Sequence, residues 1–523
     1  MTEATAYDLV DYPAHVFPQM HPSRLAAIGR LHGIPAASPR NCRLLEVGCG
    51  DGLQLVTLAM AYPDGEFVGV DLSANAIARG EALRARLGLD NLKLVAADLL
   101  RWDAGEAAYD YITAHGFWSW VPDVVRERLL ALCEENLADA GIAYVSYNAL
   151  PGCHLRRMLW DMMKFHVRGI HEPRARTERA REFLVWLGND LLNDKAYAEV
   201  VRAEALDLLN ATHPTVLFHD DLSEINEPFL VTDFVERART RGLDFLAEAD
   251  YHEMSDVSAP PAVRQRLSMH AGGDVVQREQ YLDFLQGRRF RQTLLCRRDA
   301  PRRRLPDATS VETMQVAGQP RAVGLDLEPA TRTAMQFANP GGAALTVDLP
   351  VAKAALALIG EHFPQPLAFD ALLDLACRRT GASGVAADDR AALGDVLASA
   401  FEIGLVTLYC DPPRFAHAAS DHPRISPLVR LQVEAGQDLV ASLRPSMARL
   451  DNGVTLELVQ LLDGTRDRAT ILRDLSARMS KHSIPDGDGN QVVYPEEWWR
   501  ERLAPQLEDG LVQVARMSLL AED

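Results

Sequence analysis

The sequence predicts an α/β protein, with a doubly wound, seven-stranded sheet in its N-terminal half and a mainly helical C-terminal half. Over residues 42–150, strand-like apolar runs alternate with helix-like segments, the pattern of a parallel sheet with crossover helices. The first run opens into the glycines of Gly48-Cys-Gly-Asp-Gly52, and the second ends on Asp71. Such glycines let a backbone approach a ligand, and an acid at the next strand end accepts hydrogen bonds from ribose hydroxyls. We therefore expect a nucleotide-like ligand at the carboxyl edge of the sheet.

Each element of the sheet can be placed from its apolar pattern. Pro122 and Asp123 supply a helix start, and Gly141 a helix stop, for the segment before the fifth strand. Two further strands follow only after a long helical stretch, which brings the total to seven. The predicted strands are 43–47, 66–71, 92–97, 109–114, 142–147, 243–248 and 290–296, and the predicted helices are 52–62, 74–87, 122–139 and 229–241.

At 523 residues the chain is too long for one core, and about three domains are expected. We expect the sheet domain to cover 1–300 with a helical insertion at 154–222; an independent middle domain that begins at 154 is the open alternative. Residues 301–345 hold several prolines and no sustained periodicity, so we predict a linker there. Two winged-helix-like units are expected at 346–420 and 421–523. Their predicted helices are 350–363, 367–380, 388–403, 455–462, 468–479 and 496–509, and their predicted strands are 405–410 and 511–514.

Composition narrows the classes of protein. The N-terminus has no basic and apolar segments of a signal peptide, and no apolar run approaches the length of a membrane span. Seven scattered cysteines without a CxxC pair favour reduced thiols in the cytoplasm over zinc or disulfides. The net charge of −19 argues against general binding to nucleic acid or to anionic membranes.

The glycine loop differs from the dinucleotide-binding fingerprint. That fingerprint needs glycine at position 53, where Leu53 stands, so there is less reason to expect a pyrophosphate on the helix N-terminus. Glu46 adds a carboxylate at the strand end, which suits a ligand with an amino group and a sulfonium. The pattern resembles motif I of the class I S-adenosylmethionine-dependent methyltransferases, which have a Rossmann-like fold. A doubly wound domain that binds another nucleotide, or none, is the alternative.

This resemblance implies a site for S-adenosylmethionine, with S-adenosylhomocysteine as the product. The loop glycines would lie under the methionine part, and Asp71 would bind both ribose hydroxyls. An acid at the end of the third strand lies against the adenine amino group in this superfamily, which assigns that place to Asp98; two leucines would enclose the ring. The predicted cofactor-binding residues are Glu46, Gly48, Gly50, Gly52, Asp71, Leu72, Asp98, Leu99 and His115.

The segment from His115 to Pro122 follows the fourth strand, where class I enzymes position the methyl acceptor. Aromatic faces attract a sulfonium and an amine, so His115, Trp118 and Trp120 are candidates for the acceptor site; packing of the tryptophans is the alternative. His115 or a tyrosine could pass the acceptor's proton to water. Further candidates are Asn148 at the fifth strand end and, in an N-terminal segment over the cofactor, Tyr7, Tyr12 and His21.

A polar cluster runs from His219 through Asp220 and Asp221 to Glu227. A metal would need ligands that converge in space, which a sequence does not show. We therefore interpret this cluster as solvated acids at a helix entry, with a substrate contact as the second interpretation, and we predict no metal site.

Longer motifs are similar to those of bacterial methyltransferases that carry a methyltransferase regulatory domain. The similarity spans residues 7 to about 298, which implies a regulatory segment near 215–298, and continues more weakly beyond it. Cys153 departs from the tryptophan often found there. The best-understood members of that family methylate lysines of bacterial outer-membrane proteins. The motifs are YDxVxYP, FPQxHP, EVGCGDG, HGFWSWVP, SYNALPG, NEPF, GLDFLAEAD, QYLDFLQGRRFRQTLLC and LLDGTRDR.

The resulting hypothesis is methyl transfer to a lysine Nζ of a protein, such as an envelope or outer-membrane protein. A small-molecule N- or O-methyltransferase is one alternative, although a small substrate does not need the long C-terminal half. The other is a cofactor-binding regulator or scaffold whose winged helices bind DNA. Residues 421–523 carry 12 basic and 17 acidic side chains, whereas winged helices that read DNA are normally basic. We therefore expect this half to serve protein docking or homodimerisation.

Overall fold

One sheet of seven strands forms the centre of the N-terminal half, which confirms the predicted fold class. The computed structural model describes residues 12–192, 195–210, 214–324, 330–381, 387–485 and 490–522. The strands are β1 (Arg43–Val47), β2 (Glu66–Asp71), β3 (Leu92–Ala96), β4 (Tyr109–Ala114), β5 (Leu137–Asn148), β6 (Leu243–Glu248) and β7 (Phe290–Arg297). Their spatial order is β3-β2-β1-β4-β5-β7-β6, and β7 runs antiparallel to both β5 and β6.

The order of the strands reverses on the two sides of β1. The chain runs outward from β1 through β2 to β3 and then returns to β4 on the opposite side, so β1 pairs in parallel with both β2 and β4. Such a reversal leaves a crevice beyond the carboxyl ends of the strands. Both faces of β1 are covered: Leu44 lies in one core and Leu45 in the other, which explains the continuous apolar run. The flanking helices are Pro22–Leu31, Leu53–Ala61, Ala74–Leu87, Asp123–Asn136 and Val231–Thr240.

The strand β5 begins earlier than the sequence predicts. The preceding helix ends at Asn136 rather than at Gly141, because the side-chain amide of Asn136 donates to the backbone carbonyls of Gly105 and Ala107 at 2.8 and 3.0 Å. Leu137 is already extended, so Gly141 lies inside the strand. The predicted helix stop at Gly141 is therefore wrong.

A helical segment with its own apolar core joins β5 to the helix Val231–Thr240. Its core includes Leu159, Leu184 and Val201, and three helices enclose it. A short helical turn (Pro214–Val216) and a π-helical turn (Leu217–Asp221) complete the segment. The three helices are Cys153–His166, Pro173–Asn189 and Lys195–Leu209.

Two helices that the sequence pattern did not predict, Pro261–Ala271 and Val275–Gln286, lie between β6 and β7. The second has a weak apolar stripe because it buries the charged side chains Glu279 and Asp283. Both carboxylates bind Arg291 of β7, which is also fully buried and pairs with Glu248 of β6 at 2.5 Å. Asp283 takes two hydrogen bonds from this guanidinium, at 2.8 and 2.9 Å.

Residues 301–345 contain strands where we predicted a linker. β8 (Gln315–Gly318) is the middle strand of a three-stranded antiparallel sheet with β12 (Leu367–Ala368) and β13 (Val406–Tyr409). Short strands whose partners lie far along the chain leave little periodicity to detect. The remaining strands of this region are β9 (Arg321–Ala322), β10 (Met335–Ala338) and β11 (Ala344–Val347), and its helices are Pro350–His362, Phe369–Thr380 and Ala387–Glu402.

The C-terminal region is helical with two hairpins, and two of its predicted elements differ. The predicted helix 496–509 is two helices, and the predicted strand 511–514 lies within the second, because Leu511 and Val514 face the core at helical spacing. No helix within the described ranges is long and apolar enough to cross a membrane. The helices are Pro427–Glu434, Gly453–Leu461, Arg468–Met479, Glu496–Leu503 and Leu507–Arg516, and the hairpins are Leu439–Ala441 with Met447–Arg449 and Ser483–Pro485 with Gln491–Val493.

We expect Arg291→Ala to destabilise the sheet domain by about 3–5 kcal/mol. The substitution leaves three buried carboxylates without their shared cation, and removal of one partner from a buried ion pair has a cost of this order. Urea unfolding followed by far-ultraviolet circular dichroism measures the change.

The matched control for this prediction is Arg264→Ala. Arg264 is exposed on the helix Pro261–Ala271, so its loss should change the stability by less than about 0.5 kcal/mol. If both variants unfold at the same urea concentration as the wild type, the buried cluster does not stabilise the fold as we infer.

Candidate active site

A cavity of about 510 Å³ opens at the carboxyl ends of β1, β2 and β4, where the strand order reverses. Its walls come from the N-terminal segment, the loops after β1 to β4, the start of β7 and the π-helical turn. The predicted cofactor residues that line it are Glu46, Gly48, Gly50, Asp71, Leu72, Asp98, Leu99 and His115.

The glycine loop has a backbone that few other residues adopt. Gly48, Gly50 and Gly52 have φ angles of 73°, 57° and 74°, in the left-handed region. A Cβ at Gly48 would lie 2.8 Å from the ring of Phe117. Gly52 does not line the cavity, since it caps the helix Leu53–Ala61. The loop therefore brings backbone to the cavity wall where side chains would fill it.

Asp71 ties this loop to the end of β2. One carboxylate oxygen accepts from the backbone N–H of Gly50 at 2.8 Å, and the other from that of Ser73 at 2.8 Å. The carboxylate faces the same cavity. It is thus held in place by two backbone donors, in a position that suits a ribose diol.

Glu46 carries the clearest sign of a missing partner. Its side chain is only 6% exposed, and its Oε2 has no hydrogen-bond partner in the part of the chain that the structure describes. Burial, together with the charges of Asp51 and Asp71, raises the pKa of Glu46 to about 8. A buried acceptor without a donor, at the wall of a cavity, fits the ammonium group of a ligand such as S-adenosylmethionine.

The other end of the cavity fits an adenine ring. Leu72 is 52% exposed and Leu99 is buried, and both line the cavity together with Asp98. An exposed leucine at the end of β2 presents an apolar face that a flat ligand can cover. The donor set and the apolar faces therefore match the predicted cofactor.

His115 forms an aromatic wall. Its ring lies 3.8 Å from that of Phe17 and 5.8 Å from that of Phe290, centroid to centroid. The hydroxyl of Tyr144 donates to Gln292 at 2.8 Å, so the Nδ1–H of His115 donates to that hydroxyl, also at 2.8 Å. Burial lowers the pKa of His115 to about 4, and the imidazole is neutral at pH 7.

Several candidates for the acceptor side lie elsewhere. Trp118 is fully buried and packs edge-on against Phe234 at 5.0 Å, so the alternative of simple packing holds for it. Asn148 does not line the cavity. Its amide donates to Asn226 at 2.7 Å, because the chain after the insertion crosses the end of β5 there. His21 accepts from the N–H of Ser23 as a helix cap, and Tyr7 lies outside the described residues.

Besides His115, two candidates reach the cavity, and the structure adds others. Trp120 lines it, with an indole N–H that has no partner among the described residues, and so does Tyr12. Asp220, which we interpreted as a solvated acid, also lines the cavity and is partly buried, so that interpretation is wrong. Phe17 and Phe290 were missed as site residues, although both stand in the quoted motifs.

Three family models match the chain in succession. A methyltransferase domain matches residues 44–141, a predicted methyltransferase regulatory domain matches 213–297, and the PKMT C-terminal winged helix domain matches 421–519. The last two cover the helices between β6 and β7 and the C-terminal helices described above.

Relatives extend the similarity. Uncharacterized protein RP789 of Rickettsia prowazekii is 35% identical over 369 residues, which cover 69% of this chain and 66% of that protein. Uncharacterized protein RP028 of the same organism is 31% identical over 246 residues, 47% of this chain and 98% of that protein. The solved structure of PKMT2 from Rickettsia typhi in complex with AdoHcy matches with a TM-score of 0.83 at 25% identity, over 98% of this chain and 100% of that one.

The cavity, the glycine loop and the sheet order define a class I methyltransferase, an enzyme that uses S-adenosylmethionine. The chain belongs to the family of these methyltransferases that carries the regulatory domain and the PKMT winged-helix domain.

We expect Asp71→Ala to weaken the binding of S-adenosylhomocysteine roughly 100-fold. The variant would lose the two charge-assisted hydrogen bonds that we predict to the ribose, together worth about 3 kcal/mol, and it lacks the two backbone contacts that hold the loop. Asp71→Asn keeps an acceptor for Gly50 and should lose less. Isothermal titration calorimetry measures both, with the exposed Asp64→Asn as the control that keeps wild-type affinity.

Binding at pH 7 should release about one proton from Glu46. In the free enzyme its pKa of about 8 keeps Glu46 mostly protonated, and a ligand ammonium beside it lowers that pKa, so the proton leaves. Calorimetry of S-adenosylhomocysteine binding in buffers of different ionisation enthalpy counts the protons. Glu46→Gln should abolish this release; equal release by both proteins would contradict the assignment.

Proposed function

We propose that the enzyme transfers methyl groups to lysine Nζ atoms of a protein. This proposal rests on the similarity, along nearly the whole chain, to PKMT2. The abbreviation PKMT stands for protein lysine methyltransferase. The winged-helix model that matches residues 421–519 supports the same substrate class. A small-molecule substrate would leave the large C-terminal region without a role in recognition.

Cofactor and acceptor would meet in the cavity at the carboxyl edge of the sheet. S-adenosylmethionine, when bound, supplies an electrophilic methyl group on sulfur. Glu46 would hold its ammonium group, Asp71 its ribose, and Leu72 with Leu99 its adenine. These contacts leave the walls made by His115 and Trp120 for the acceptor, so the contribution of the chain is mainly to position two reactants and exclude water.

His115 serves this reaction as a wall rather than as a base. An imidazole with a pKa of about 4 holds a proton poorly at pH 7, so it does not take one from an ammonium group efficiently. Its contact with Phe17 also closes the N-terminal segment over the cavity. We therefore assign His115 the role of shaping the site and replace the earlier base hypothesis.

The protein partner is proposed to be an envelope or outer-membrane protein that is methylated in the cytoplasm before export. All seven cysteines are buried free thiols, which suits a reducing compartment. The net charge of −19 favours a lysine-bearing partner over nucleic acid. A homodimer built through the C-terminal region remains part of the proposal, and gel filtration with light scattering tests it.

The test of function is transfer of methyl label from S-adenosylmethionine to soluble and envelope fractions of the host, followed by peptide mass spectrometry. We expect label on protein lysines, absent with Asp71→Ala and present with Asp64→Asn. The first variant lacks the predicted ribose contact, whereas the second changes only an exposed acid.

Two outcomes would contradict the proposal in different ways. Label only in small molecules would retain the enzyme class and overturn the protein substrate. Tight, specific DNA binding by the full chain, without any transfer, would favour the regulator alternative.

A further inference from the structure

The π-helical turn Leu217–Asp221 places two adjacent carboxylates in opposite surroundings. Asp221 points inward, where it accepts from the indole N–H of Trp160 at 2.6 Å and pairs with Arg156 at 3.2 Å. Asp220 points into the cavity instead. Single π-helical turns occur often at functional sites, because the extra residue re-aims a side chain.

Within the part of the chain that the structure describes, the Asp220 carboxylate has one weak hydrogen bond and no ion pair. Among the described side chains, its one hydrogen bond comes from the hydroxyl of Tyr12, at a long 3.4 Å. The nearby cation, Arg156, is bound by Asp207 and Asp221. A carboxylate that faces a cavity under these conditions is suited to a cation supplied by a ligand.

The turn is held in place from the strand side. The amide of Asn226 donates to the backbone carbonyl of Asp220 at 2.7 Å and accepts from Asn148 at the end of β5 at 2.7 Å. The N–H of Glu227 donates to the backbone carbonyl of Ser119, next to Trp120. Asp220 is therefore positioned relative to the same loop that supplies the aromatic wall.

Glu46 is already assigned to the ammonium group of the cofactor. The Oε2 atom of Glu46, which has no partner among the described residues, lies beside the glycine loop. Asp220 comes from the π-helical turn and contacts Tyr12 of the N-terminal segment. Of the other carboxylates in the lining, Asp51 caps the following helix, and Asp71 and Asp98 are assigned to the ribose and the adenine, which leaves Asp220 without a predicted cofactor contact. An acceptor amine, attracted also by the faces of Trp120 and Tyr12, would supply its cation.

We propose that Asp220 is the carboxylate that binds the protonated amine of the methyl acceptor, which gives up one proton to water before its nitrogen takes the methyl group, and that this contact makes the site selective for amines over alcohols. This assignment deepens the proposed function, since it rests on an amine acceptor. Asn148 then acts as a positioning residue through Asn226, although it does not touch the cavity.

Ionisation of Asp220 gives this assignment a dependence on pH. Burial and the neighbouring charge of Asp221 raise the pKa of Asp220 to about 7, against the opposing effects of the Tyr12 hydrogen bond and Arg156. Below that pH the group is neutral and attracts a cation poorly, so amine affinity should rise about tenfold between pH 6 and pH 8. An alkylamine stays protonated over this range.

The experiment uses n-butylammonium as a lysine side-chain probe and the full chain saturated with S-adenosylhomocysteine. Saturation-transfer difference NMR gives the probe affinity at pH 6 and pH 8. We expect Asp220→Asn to weaken binding about tenfold at pH 8 and to remove the pH dependence, and Asp220→Glu to retain part of both. n-Butanol should show neither effect, and Asp161→Asn, an exposed acid of the same insertion, should behave as wild type.

Either of two results would overturn the assignment. In the first, Asp220→Asn binds n-butylammonium at pH 8 with an affinity within twofold of the wild type. In the second, the wild type binds n-butylammonium equally well at pH 6 and pH 8. Titration calorimetry of S-adenosylhomocysteine checks that the variant keeps its cofactor site. If no protein is labelled but n-butylammonium binding depends on Asp220 as expected, only the proposal of a protein substrate is overturned. If protein lysines are labelled but n-butylammonium binding does not depend on Asp220, only this inference is overturned.

Discussion

The position of the active site depends on one buried guanidinium, that of Arg291. It joins β7, β6 and the helix Val275–Gln286 through three carboxylates, all removed from water, and these contacts hold the antiparallel strand in place on the sheet. Buried charge tolerates little displacement, because each ion depends on its partners for the solvation it has lost. The residue before it, Phe290, thereby becomes a fixed wall of the cavity.

The residue just before β7 connects this strand to the insertion. The side chain of Arg289 pairs with Glu204, which is 2% exposed on its side chain and lies 3.8 Å from Arg156. Arg156 in turn pairs with Asp221 of the π-helical turn. A chain of ion pairs thus connects the residue before β7 to the π-helical turn, which contributes Asp220 to the lining of the cavity.

In the free enzyme at pH 7, two side chains that line the cavity carry no charge. Glu46 and His115 are both buried and uncharged, so the cavity is less polar than its residue types indicate. A cationic cofactor would then create the charge on Glu46 that binds it, and the apolar walls would strengthen that attraction. Such a site favours reactants that arrive charged.

The sequence by itself determined the sheet, the glycine loop and most of the cofactor side. These features follow from local rules: apolar periodicity, left-handed φ angles that require glycine at Gly48, and an acid at the end of β2. Only the tertiary structure decides which residues line the proposed acceptor side of the cavity. Trp118 and Trp120 look alike in sequence, yet only the second reaches the cavity, and Asp220 meets Tyr12 across a sequence separation of 208 residues. Burial and pKa depend on neighbours brought from distant parts of the chain, and no local pattern encodes them.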